Sequence, residues 1–279
     1  MGLPDFLCIG AQKAGTSWLN SVLHEHPQIF MPPINELHFF DRLDDPRAEL
    51  RQRQINLAKR AIKREKAKGD QSDQDYIRYL DHIKSFPLAN LDWYTAAYSW
   101  PVAEGVKKGD ITPAYLEIDE EYVRYARELL GPVKLILIVR RPVDRLLSQL
   151  RMWAARSTRN DVPQDEKEWM DLLLEMTGKT NRGSYSHGVS LWRRHFGAEN
   201  MLCLPYGDMK TDPRGMIDRI EAHIGVSRHE DYALLTEQIH VTKKLEVPPS
   251  VIAAAAALTA PEDDYIRHEF GEEFFQKTK

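Results

Sequence analysis

Gly10-Ala11-Gln12-Lys13-Ala14-Gly15-Thr16-Ser17 joins a short apolar run, Phe6 to Ile9, to a segment with helical apolar spacing. A strand, a glycine-bearing turn and a helix N-terminus in that order suit an anion, because successive backbone N–H groups and the first helical amides converge on one point. Gly15 permits close backbone approach, and Lys13 adds a mobile positive charge. Gly10 and Gly15 have the spacing of the Walker phosphate loop, but Thr16 stands where that loop carries its lysine. The strongest strand, Val133 to Val139, ends in Arg140-Arg141, not in an acidic residue that could help hold magnesium. An arginine pair there attracts a second anion. The pattern points to a nucleotide with phosphate at both ends of its ribose and no triphosphate–magnesium complex. An ordinary strand–turn–helix with surface charges is the competing reading, and Lys13 alone would not displace it.

The elements around these residues follow from the same sequence. Thr16 and Ser17 are expected to cap a helix whose apolar face is Trp18, Leu19, Val22 and Leu23, ending before Pro27. Val133 to Val139 is apolar almost throughout, as a central parallel strand covered on both faces should be. Pro142 opens a helix to about Trp153. Met201 to Leu204 reads as another strand, and Asp212-Pro213 supplies an N-cap and first-turn proline for a further helix. Strands alternating with helices predict an α/β fold with a parallel sheet. Residues 42 to 90 are expected to be a helical insertion: a charged, solvated helix from Pro46 to Lys68, a break at Gly69 to Asp73, and a second helix with Tyr76, Ile77, Leu80 and Ile83. Arg156 to Asp165 reads as a surface loop, and Ala253 to Ala257 as plain helix.

With 279 residues and 42% apolar content, the chain suits one large domain carrying that insertion. The net charge of −4 argues against general affinity for nucleic acid or anionic membrane. Cys8 and Cys203 each fall in a strand-like run and are expected to be buried thiols, not a disulfide or a metal site. No apolar stretch is long enough to span a membrane, and the first residues lack a signal pattern, so a cytoplasmic address is expected.

Four segments resemble the sulfotransferases that use 3′-phosphoadenosine 5′-phosphosulfate (PAPS), in particular the heparan sulfate glucosaminyl N- and O-sulfotransferase branch. Gln12-Lys13-Ala14-Gly15-Thr16-Ser17-Trp18-Leu19 is similar to the 5′-phosphosulfate loop. Glu36-Leu37-His38-Phe39-Phe40-Asp41 resembles the E-x-H-F-F-D motif, and Thr112-Pro113-Ala114-Tyr115-Leu116 the T-P-A-Y-F segment. Leu137 to Ser148 resembles the 3′-phosphate motif, an arginine followed eight positions later by a serine. The matches are collinear over roughly residues 5 to 205. They imply a P-loop-like three-layer fold, a central parallel sheet flanked by helices. They also imply PAPS as donor and 3′,5′-adenosine bisphosphate (PAP) as product, with no metal. By the same resemblance Lys13, Ala14, Gly15, Thr16, Ser17 and Trp18 hold the 5′-phosphosulfate, Arg140 and Ser148 the 3′-phosphate, and Tyr185 lies in a later nucleotide-contacting segment. The family's lysine before T-P-A-Y is replaced by Ile111, preceded by Asp110, and Ser184 occupies a position that can be aromatic. The late basic glycine loop has Thr242-Lys243-Lys244 as its nearest counterpart.

In that site charge grows on the 5′-phosphate as the S–O bond breaks, and Lys13 with the loop amides would stabilise it. Glu36 would take the acceptor's proton, with His38 assisting or orienting it. Each residue also has a plainer reading: Glu36 as a solvated carboxylate, His38 as a packed histidine, Arg140 as a surface charge, Ser148 as a small helix residue. Arg141 and Arg145 are expected to be solvated or salt-bridged. The basic stretch 47–68 is expected to be a solvated face, or a guide for an anionic acceptor. Trp93, Tyr94, Tyr98 and Trp100 are read as an acceptor cleft or as core. A nucleotide-dependent phosphotransferase and a non-catalytic PAP- or glycan-binding module are the alternatives. The acceptor, a small molecule or a glycan, and the oligomeric state are not specified by the sequence.

Overall fold

A computed structural model of the chain describes residues 2–43, 48–156, 162–179, 183–237 and 245–279. Five strands form one parallel sheet in the order β2-β3-β1-β4-β5: β1 Phe6–Gly10, β2 Ile29–Phe30, β3 Lys107–Ile111, β4 Lys134–Val139 and β5 Met201–Pro205. The most apolar runs take the centre. β1 is buried along its whole length, and β4 from Leu135 onward. Both strands need apolar residues on both faces because helices cover both. Parallel pairing puts the carboxyl ends of β1, β3, β4 and β5 at one edge. Loop 11–15, the Thr112–Glu117 turn, Arg140-Arg141 and Tyr206-Gly207 therefore emerge side by side.

The helices are α1 Thr16–Leu23, α2 Ala48–Lys66, α3 Gln74–Ser85, α4 Leu91–Ala97, α5 Glu120–Leu130, α6 Pro142–Arg156, α7 Glu166–Lys179, α8 Tyr185–Phe196, α9 Asp208–Thr211, α10 Pro213–Ile224, α11 Pro249–Phe270 and α12 Glu272–Gln276. As expected, Pro142 opens α6, and the Asp212 carboxylate accepts the Gly215 N–H at the start of α10. The expected Thr16/Ser17 cap is corrected. Gly15 is the N-cap, at φ 86°, and Thr16 and Ser17 form the first turn. A left-handed residue turns the chain sharply from loop into helix, a conformation glycine adopts without a Cβ penalty. A second apolar cluster, with Leu146, Leu150, Trp169, Leu173 and Val251, joins α6, α7 and α11.

The charged segment after β2 is not wholly solvated. Ala58, Ala61 and Ile62 of α2 are buried, and so are Arg51, Gln54 and Glu65. The Arg51 guanidinium donates to the carbonyls of Ile83, Lys84 and Phe86, which end α3, and lies 5.6 Å from the Trp93 ring. A cation at a helix C-terminus meets orphan carbonyls and the negative end of the helix dipole. The aromatic cluster beyond it is core: Trp93, Tyr94 and Tyr98 are fully buried, and Trp100 is half-buried. Arg51→Ala would leave those carbonyls without their charged donor, at a cost of about 2–4 kcal/mol. Urea unfolding checks this; a surface arginine would show almost no loss.

Candidate functional site

The loop after β1 begins fixed to the sheet, because the Ala11 N–H donates to Ile138 O at 3.0 Å. Lys13 and Gly15 are both left-handed, at φ 67° and 86°, and coil the loop over the start of α1. Leu19 N–H is bonded to Gly15 O, so the amides of Thr16, Ser17 and Trp18 precede the first intrahelical bond and face the loop. Free amides at a helix N-terminus are a geometry suited to an anion. Trp18 contributes its amide; its indole is buried and donates to Leu235 O. Ala14 is buried beneath the loop. A Cβ on Gly15 would meet only the flexible end of the Met209 side chain, which can move aside, so it is the left-handed φ that favours glycine here.

Arg140 reaches back to this loop. Its Nη1 donates to Lys13 O at 2.7 Å, and its guanidinium lies 4.6 Å from the centre of the Tyr206 ring. Among the described residues its buried Nε has no hydrogen-bond partner, which leaves a donor suited to an anion. Tyr185 is fully buried, and its hydroxyl bonds both Arg140 N (3.1 Å) and Arg140 O (2.9 Å). Tyr185 thus fixes the backbone of Arg140. Ser148 lies buried on α6. Arg141 pairs with Asp263 at 3.9 Å; Arg145 is buried and bonded to Gln149, so of the two expected alternatives, solvated or salt-bridged, the first does not hold for it. Thr242-Lys243-Lys244 lies outside the described residues, as does half of the expected 156–165 loop, residues 157–161.

Glu36 and His38 sit on a second strained loop, both left-handed at φ 55° and 53°. Glu36 Oε2 lies 3.0 Å from Arg53 Nη2 and 3.4 Å from His38 Nε2. His38 Nδ1 lies 2.8 Å from Asp41 Oδ2. Burial raises the Glu36 carboxyl, but the hydrogen bond and charge of His38, with Arg53, outweigh it and bring it down to about 2. Burial likewise opposes charge on His38, but Asp41 and Glu36 raise it to about 9. These directions favour the carboxylate form of Glu36 and the imidazolium form of His38 beside it.

A buried carboxylate holds this loop. Asp110, at the end of β3, accepts from Thr112 Oγ1 (2.7 Å), Tyr94 Oη (3.0 Å) and Tyr115 Oη (2.9 Å). Since both hydroxyl protons point at Asp110, Thr112 and Tyr115 are free to accept the backbone N–H groups of His38 and Phe39 (3.5 and 3.0 Å). Gln54 of α2 donates to Leu37 O, and Asn20 of α1 to Asn35 Oδ1. Sequence reasoning missed Asp110, Arg53 and Tyr206. Asp110 and Tyr206 were discoverable as polar groups ending strands at the sheet's ligand-binding edge. Arg53 had no local signal, because its partner lies 17 residues away across a turn.

The family described as "Sulfotransferase family" matches residues 4–231. The chain belongs to the sulfotransferase family. Human heparan sulfate glucosamine 3-O-sulfotransferase 3B1 is 25% identical over 231 residues, 81% of this chain and 47% of that protein. This sulfotransferase chain therefore spans about half the length of the curated relatives it matches. A solved sulfotransferase from Alicyclobacillus acidocaldarius superposes with a TM-score of 0.64 at 21% identity, covering 96% of each chain. The sulfotransferase domain from the curacin biosynthetic pathway gives 0.51 at 12% identity, covering 93% of this chain and 98% of that one. The expected three-layer sulfotransferase fold is present. Among the described residues no helix is long and apolar enough to cross a membrane.

The Glu36–His38 pair gives a pH signature. Glu36, lowered from 4.5 to about 2, contributes stability that is present above pH 4.5 and lost as pH falls toward 2. His38, raised from 6.5 to about 9, contributes stability that is full below pH 6.5 and lost as pH rises through 9. In His38→Gln the stability deficit, measured by urea unfolding, is therefore widest between pH 4.5 and 6.5 and narrows toward pH 9. A deficit constant from pH 5 to 9 would contradict the pairing.

Proposed function

We propose that this sulfotransferase moves a sulfuryl group from PAPS to a hydroxyl or amine of an acceptor, with Glu36 as general base. A carbohydrate acceptor is favoured by the named activity of the heparan sulfate relatives. On the same reading the chain is one sulfotransferase domain, with residues 42–90 inserted into it. The observation that carries the proposal is the bond from Arg140 to the Lys13 carbonyl, which joins two cationic anion sites along one wall. A nucleotide phosphorylated at both ends of its ribose fits that wall, and the Arg140 Nε, which has no partner among the described residues, is a donor for its 3′-phosphate.

Bound PAPS supplies an activated S–O bond. The acceptor atom attacks sulfur, the bond to the bridging 5′-phosphate oxygen breaks, and its electron pair leaves with PAP. The Thr16, Ser17 and Trp18 amides and the Lys13 ammonium receive that charge. Glu36 accepts the acceptor's proton. His38, held as a cation by Asp41, orients Glu36 and is not itself the base. His38 first, and Arg53 with it, keep Glu36 ionised but weakly basic. An acceptor that takes the place of Arg53 on Oε2 therefore raises the basicity of Glu36 as it docks. Ser148 joins Arg140 at the 3′-phosphate, and Tyr185 acts through the Arg140 backbone.

Radiolabelled PAPS with desulfated heparin as the acceptor probe, and calorimetry with PAP, test the reading. Glu36→Gln is expected to lose about 10²–10⁴ in transfer rate and to keep its PAP affinity. Arg140→Ala is expected to weaken PAP binding about tenfold or more. Binding of ATP with magnesium in preference to PAP, or undiminished transfer by Glu36→Gln, would overturn it.

A further inference from the structure

The segment after α11 lies against the edge of the sheet where Arg140 emerges. Phe275 of α12 is buried, with the Arg141 guanidinium 5.4 Å from its ring and that of Arg267 3.9 Å away. Thr278 is fully buried, and its hydroxyl donates to Phe275 O at 2.6 Å. Two backbone bonds leave this segment for the strand ends. Arg141 N–H donates to Thr278 O at 2.8 Å, and Gly207 N–H donates to Lys277 O at 2.7 Å. The first holds the turn after β4, which carries Arg140. The second holds the turn after β5, which carries Tyr206, the ring beneath the Arg140 guanidinium.

We infer that residues 275–279 are a clip that aims Arg140 at the 3′-phosphate of the nucleotide. The inference rests on the reading of Arg140 as the ligand of that phosphate. Turns at strand ends have N–H groups that the sheet no longer pairs, and each needs an acceptor. The clip gives one carbonyl to each turn and so fixes the spacing between the guanidinium and the ring it lies over. Gly207 records how close the segment comes. Its φ of −63° is open to any residue, yet a Cβ there would collide with the Lys277 carbonyl oxygen. Glycine is needed at 207 for the approach of the clip, not for the turn. Residues 275–279 are positioning residues, since they act through Arg140 and Tyr206.

The selective property is recognition of the 3′-phosphate, so the test compares PAP with adenosine 5′-monophosphate, which lacks it. Calorimetry is run on the parent chain, on Gly207→Ala, on a variant lacking residues 277–279, and on Arg140→Ala. Gly207→Ala displaces the clip without straining φ, and it carries the test if the shortened chain does not fold. The expected result is about a tenfold loss of PAP affinity in both clip variants, with the affinity for the monophosphate unchanged. Equal losses for both nucleotides would make the segment a general support and overturn the inference, as would unchanged PAP binding in folded Gly207→Ala. If Arg140→Ala binds PAP as the parent does, the 3′-phosphate reading itself has failed. If Arg140→Ala is weakened and the clip variants are not, only the clip has failed.

Discussion

The candidate base depends on a buried carboxylate, Asp110. Asp110 is buried among aromatic rings, where an unpaired charge would be costly. Three hydroxyl groups resolve that cost by donating to it, and their donation fixes the direction of the next bonds. Burial and the charge of Asp110 hold the Tyr94 and Tyr115 phenols well above their usual range, so both stay donors. Burial raises Asp110 to about 6 against the pull of those hydroxyls. With the protons of Thr112 and Tyr115 committed inward, their lone pairs face the loop that carries Glu36. The two left-handed residues there, Glu36 and His38, are held by bonds at His38 and Phe39. The Phe39 ring stacks on Tyr94 at 4.2 Å, which ties the same loop to α4.

The candidate anion sites depend on the sheet in a comparable way. Parallel strands deliver loop 11–15, Arg140 and Tyr206 to one edge, and the bond from Arg140 to Lys13 O crosses from the end of β4 to the loop after β1. The helical segment between β2 and β3 then reaches over this edge. Gln54 bonds the backbone of the Glu36 loop, and Arg53 bonds Glu36 itself. A segment that looks peripheral in the chain thus supplies an electrostatic partner of the candidate base.

What the sequence revealed and what it hid divide along physical lines. The apolar runs of β1 and β4 were legible because burial on both faces leaves no polar positions. Pro142 and Asp212 were legible because caps and first-turn prolines act locally. Lys13, Gly15 and Arg140 could be placed because strand–turn–helix geometry fixes where a loop's amides point. Arg51 was hidden by its company: within a run of charges nothing distinguishes the one arginine that caps α3 from those in water. Arg53 gains its role from a partner 17 residues away, whereas Asp110 and Tyr206 stood at strand ends where a polar group could have been singled out. Thr16 and Ser17 misled as caps because a glycine in a left-handed conformation can end the loop without a side-chain bond.

Amide hydrogen exchange at His38 and Phe39, in the parent chain and in Asp110→Asn, tests most directly whether the buried carboxylate holds the base loop. Asparagine keeps the shape but offers a donor where the aspartate has only acceptors, so it turns one hydroxyl around. The predicted result is protection of both amides in the parent and exchange about tenfold or more faster in the variant, with protection along β1 and β4 unchanged. Equal protection of His38 and Phe39 in the two proteins would contradict the claim that Asp110 sets the geometry of Glu36.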